Sequence, residues 1–109
     1  MVKPTCVFGI KYSYSELKHL KEREDYIKCA EENGDDDLSG VLTTLFDCYK
    51  VKFHLSFEFD DDEAMDYYLG CKVTKDIKMD LCEFLLKSIT SEYNIKYEDP
   101  DVYNFMTFD

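Results

Sequence analysis

Several things are scarce in this chain of 109 residues, and each shortage removes a class of function. No apolar run approaches the roughly 18 residues that a membrane-spanning helix needs. Met1-Val2-Lys3-Pro4 begins no secretory apolar stretch, so the expected location is the cytoplasm, that of a host cell if the chain is viral. The five cysteines, Cys6, Cys29, Cys48, Cys71 and Cys82, include no Cys-x-x-Cys pair. With only His19 and His54 to help, they write no compact zinc quartet, so buried reduced thiols, no metal and no cofactor are expected. Arg23 is the one arginine among 13 basic residues, and alanine occurs only as Ala30 and Ala64. Such usage fits coding sequence biased toward A and T, as in viruses, protists and some bacteria.

Groups able to do chemistry are scarce too. His19 falls on a charged helix and His54 on the polar face of a strand, and no Ser or Cys has an identifiable base partner. A non-enzymatic role is expected. Acids outnumber bases, 24 to 13, and the net charge of −11 opposes binding along a phosphate backbone, which needs Lys and Arg to release counterions. Nucleic acid is therefore not an expected partner, whereas a basic protein or a second copy of the chain is.

What is present is material for a core. Apolar residues make up 45%, with eight Phe and nine Tyr, enough for one folded domain over residues 1–109 without disulfides. Thr5 to Tyr12 alternates, with Cys6, Phe8, Ile10 and Tyr12 on one face, and predicts a strand. Ser13 and Glu16 have capping-box spacing, and Leu17, Leu20, Ile27 and Ala30 then predict a helix from Tyr14 to about Glu32, with Arg23 inside it. Leu38, Val41, Leu42, Leu45, Phe46 and Tyr49 predict a second, shorter helix behind Asp35, Asp36 and Asp37.

Val51, Phe53, Leu55, Phe57 and Phe59 alternate with polar residues and predict a strand with one buried face. An acidic turn, Asp60 to Asp66, joins it as a hairpin to a strand from Tyr67 to Val73. Ile77, Leu81, Phe84, Leu85 and Ile89 then mark a helix of about four turns, with Thr74 or Asp76 as its expected cap. A last strand is expected from Val102 to Phe108.

One phrase occurs twice, as Phe8-Gly9-Ile10-Lys11-Tyr12-Ser13 and as Leu69-Gly70-Cys71-Lys72-Val73-Thr74, each time as a strand that hands over to a helix. The order strand, helix, extra helix, strand, strand, helix, strand resembles a ferredoxin-like α+β sandwich, βαββαβ, with an extra short helix after the first. In that arrangement the two repeated strands are the central ones. The fold serves many functions and implies none by itself.

If Phe8, Ile10, Leu69 and Cys71 face the helices, Gly9, Lys11, Tyr68, Gly70 and Lys72 share the opposite face, which would be bare at its centre. A trough of this kind suits a protein partner, a second subunit, or a small anion or nucleotide between the lysines. The competing expectation is that the glycines relieve twist or make bulges and the lysines only solvate the sheet. The Gly-x-Lys-x-Ser/Thr spacing is not a phosphate loop, because the loop glycines are absent. Acylphosphatase-like enzymes of this fold use a phosphate-cradling loop with an Arg, which has no counterpart here. Carboxylates gather in two runs, Glu22 to Asp37 and Glu58 to Asp66. Asp35, Asp36 and Asp37 with Asp60, Asp61, Asp62 and Glu63 form the candidate acidic surface, either solvated or facing a basic partner. Asp60 to Glu63 lacks the alternating ligands of a calcium loop. Phe53, Phe57 and Phe59, which resemble the base-stacking aromatics of RNA-binding sheets, fall on the face expected in the core.

Overall fold

In a computed structural model describing residues 2–34, 36–55 and 63–108, four strands form one antiparallel sheet. Strands β1 (Val2–Tyr12), β2 (Lys52–Leu55), β3 (Tyr67–Lys72) and β4 (Asp101–Phe108) stand in the order β2-β3-β1-β4. The two strands of the repeated phrase are thus central. Four helices accompany them: α1 (Tyr14–Leu17), α2 (Glu24–Asn33), α3 (Leu38–Leu45) and α4 (Met79–Glu92). Among the described residues, no helix is long and apolar enough to cross a membrane.

The main core lies between the helices and one sheet face. Ile10 and Tyr12 of β1, Phe53 of β2, and Tyr67 and Leu69 of β3 meet Leu17, Leu20, Leu38, Leu42, Phe46, Leu86 and Ile89, all buried. Period-two alternation in the strands places these side chains together, each removing roughly 1.5–3 kcal/mol worth of apolar surface from water. The described part of the strand expected from Val51 to Phe59 is β2, which starts at Lys52. Its pairing with β3 covers Lys52 to Leu55, and Phe57 and Phe59 lie outside the described residues.

The expected single helix over residues 14–32 is broken. The Glu16 carboxylate turns back to accept the Ser13 backbone N–H at 3.0 Å, so the capping box forms. After α1 the chain tightens into a 3-10 turn, Lys18–Glu22, and then opens at Arg23 (ψ 144°), from which α2 starts afresh. Arg23 is therefore not inside a helix. The break turns the buried face by one position, so Tyr26 is 2% exposed and Ile27, expected in the core, is 45% exposed. Asp25 holds the new start by accepting the Tyr26 N–H at 2.8 Å, and α2 ends at Gly34 in the left-handed region (φ 68°).

A similar shift occurs in α4. The expected caps Thr74 and Asp76 fall in a turn closed by the Ile77 N–H on the Thr74 carbonyl, and the helix begins only at Met79, after Lys78. Its buried stripe is Cys82, Leu86, Ile89 and Thr90, while Leu81 and Phe84 are 42% and 67% exposed. Thr90 is admitted to that stripe because its hydroxyl donates to the Leu86 carbonyl at 2.8 Å.

Candidate functional site

Gly9 and Gly70 stand opposite each other across β1 and β3. A Cβ added to Gly9 would lie 2.1 Å from the Leu69 carbonyl oxygen, and one on Gly70 would lie 2.2 Å from that of Phe8. The close approach that glycine in a strand signals is therefore that of each strand to the other. The register sets Gly9, Lys11, Tyr68, Gly70 and Lys72 on one face, as expected. That face is not bare, because Val7 and Tyr68 on it are 0% and 6% exposed. Tyr68 stacks on Phe105 with centroids 4.0 Å apart at 9°, and lies 5.2 Å from Tyr103. Lys11 pairs with Asp66 at 3.7 Å, and Lys72 lies at the other end of the face, opposite Val7.

Of the candidate acidic residues, Asp36, Asp37 and Glu63 are among those described. Asp37 precedes α3, and its carbonyl accepts the Val41 N–H; the Asp36 carbonyl accepts the Tyr26 hydroxyl at 2.9 Å. Glu63 is exposed in the turn before β3. Asp35, Asp60, Asp61 and Asp62 lie outside the described residues.

A concave site sits at the β2 end of the sheet. The β2–β3 ladder stops at Lys52 opposite Gly70, while β3 continues through Cys71 and Lys72. Where the strands part, a cleft of about 540 Å³ opens. Phe53 and Cys71 line it with Lys50, Lys52, His54 and Lys72, and Thr43 of α3 and Asp47 complete it. Three lysines and one aspartate thus line it, in a chain whose net charge is −11. The Lys52 ammonium already bonds the Asp47 backbone carbonyl and lies 3.5 Å from its carboxylate. Lys50 and Lys72 have no such partner among the described residues.

His54 Nε2 lies 3.2 Å from the Gly70 carbonyl oxygen, which can only accept, so Nε2 carries the proton. Burial first, then Lys72 and Lys52, push the His54 pKa below its ordinary value, against the opposing effect of the Gly70 bond. Behind the cleft, the buried Cys82 thiol contacts Cys71. Its pKa is pushed up to about 12 by burial first and then by Cys71. Of the cleft residues, the sequence reading singled out Lys72 alone. The Lys50-x-Lys52-x-His54 spacing was the available signal, but the register that brings it beside Lys72 is not written in any one strand.

No protein-family model matches this chain, and no curated protein and no solved structure is similar enough to it to count as a relative.

Proposed function

We propose that the chain is a small non-enzymatic binding domain that holds a compact, multiply charged anion in the cleft beside β2. The convergence of Lys50, Lys52 and Lys72 on one concavity carries this reading, because like charges gather against the trend of an acidic chain only at a cost. Counted from its other edge, the strand order is β4-β1-β3-β2. That order supports a ferredoxin-like sandwich in which the helical stretch before α3 forms the first crossover, α4 forms the second, and α3 is the added helix. The added helix then has a purpose, since it supplies Thr43 to the cleft wall. An acidic surface for a basic protein partner is the second reading, favoured by Asp36, whose side chain is 81% exposed beside the start of α3.

Titration of the full chain with pyrophosphate at low salt, followed by NMR, tests the first reading. Shifts concentrated at Lys50, His54 and Lys72 are expected, with Lys50→Ala and Lys72→Ala each weakening binding at least about fivefold, roughly 1 kcal/mol. Lys96→Ala, which removes an exposed lysine beside Glu98, should change nothing. Equal losses in all three variants, or shifts spread over every lysine, would reduce the effect to general charge.

A further inference from the structure

Strand β4 closes one side of the sheet, and among the described residues no strand pairs with its outer edge. Free edges are usually guarded by charged side chains, Pro, a bulge or brevity. Past Asp101 at its first position, β4 has none of these, being eight residues of sequence DVYNFMTF. It pairs with β1 without interruption from Val2↔Phe108 to Gly9↔Asp101, so it carries no bulge. The opposite edge, β2, carries Lys52 among its described residues. The two edges of one small sheet are thus treated differently.

The pairing with β1 fixes which way β4 side chains point. Val102, Asn104 and Met106 lie on the helix side, opposite Phe8, Cys6 and Pro4. Tyr103 and Phe105 lie on the other side, opposite Val7 and Thr5, and both touch Tyr68. Val102 and Met106 are 42% and 44% exposed although they face the helix layer. The residues between them alternate cleanly about Asn104.

We infer that β4 is the seam of a symmetric homodimer, two copies pairing edge to edge and antiparallel with the twofold axis at Asn104. In this register Val102 lies beside Met106 of the second copy, and the reverse contact follows by symmetry, so both exposed apolar side chains are covered. On the opposite face Tyr103 lies beside Phe105 of the second copy, and the Tyr68 stacks of the two molecules become continuous. Asn104 meets Asn104, amide against amide. A shift of the axis to Tyr103 would set Val102 against Asn104 and Asp101 against Phe105. A shift to Phe105 would set Asn104 against Met106. Only the Asn104 register joins apolar to apolar and aromatic to aromatic while opposing no like charges. The two sheets then form one of eight strands, and the β2 clefts lie at its two far ends.

The register is tested by a pair of double variants, both at positions exposed in the monomer. Val102→Lys with Met106→Lys places lysine against lysine twice across the axis; Val102→Glu with Met106→Lys places glutamate against lysine twice. Sedimentation equilibrium of the full chain from micromolar to millimolar, with thermal melts to confirm folding, is the measurement. The wild type should self-associate, the double lysine variant should associate at least tenfold more weakly, and the Glu/Lys variant should recover most of that loss at low salt. The lysine variant adds two positive charges to a chain of net charge −11, so overall repulsion falls and the loss must be local. The Glu/Lys variant keeps the wild-type net charge. A wild type that stays monomeric to millimolar concentration, a double lysine variant that associates as wild type does, or a Glu/Lys variant as weak as the double lysine one would each overturn the proposal.

Discussion

The guanidinium carbon of Arg23 lies 4.3 Å from the centre of the Tyr93 ring, tying the break before α2 to the end of α4. Arg23 also grips both Asp25 oxygens, at 3.0 and 3.2 Å, and donates to the Glu92 carbonyl at 3.3 Å. A planar fork makes all of these contacts at once, and an ammonium cannot. The contacts are partly exposed, so solvent screens them. Arg23→Lys should therefore cost only about 1 kcal/mol, which lowers the melting temperature by about 4 °C. Calorimetry checks this, and an unchanged melting temperature would mean that the clamp contributes nothing.

Gly9 and Gly34 should respond differently to alanine. At Gly9 the new methyl group meets backbone, the Leu69 carbonyl oxygen, and the central strands must part, at a cost of about 3 kcal/mol. At Gly34 nothing lies within 4 Å, and only the left-handed φ of 68° is penalised, by about 1 kcal/mol. Urea unfolding of the two variants should rank Gly9→Ala as clearly the worse, and the reverse ranking would contradict the close approach of β1 and β3.

Cys48 is exposed, whereas Cys82 is buried with its pKa pushed up to about 12. The reactive species is the thiolate. At pH 8, iodoacetamide should modify Cys48 within minutes and leave Cys82 untouched until the protein is unfolded. Peptide mass spectrometry reads both sites. Equal labelling in the native protein would place Cys82 at the surface.

His54 has a native pKa below its ordinary 6.5. As pH falls through 6.5, the unfolded chain takes up a proton that the native ring refuses, so stability declines, and the decline stops once pH is below the native value. His54→Gln should flatten the dependence of the urea midpoint on pH between 7.5 and 5. Parallel profiles for the two proteins would show that the ring titrates alike in both states.

The break at Arg23 and the offset of α4 show where one-dimensional periodicity fails. Leu17, Leu20, Ile27 and Ala30 fit a single helical stripe, but a 3-10 turn changes the rotation per residue, and Tyr26 rather than Ile27 turns inward. Leu81, Phe84 and Leu85 also fit a stripe, yet the sheet meets the side of α4 that bears Cys82 and Leu86. In both cases apolar residues outnumber the places in the core, and contact with the sheet chooses among them. The cleft was less visible still, since it depends on where the β2–β3 ladder ends.

From its sequence alone, this protein is determined to have alternating strands at its centre, a capped start at Ser13, a stop at Gly34 and the side of the sheet on which each repeated residue falls. These are local matters of period two, capping chemistry and the φ that glycine permits. Tertiary structure alone decided that Gly9 faces Gly70, that Tyr68 stacks on Phe105, that three lysines share a cleft, and that no strand among the described residues pairs with the outer edge of β4. Each of these joins residues far apart in the chain, and the register that joins them is set by the packing of the whole sheet against its helices.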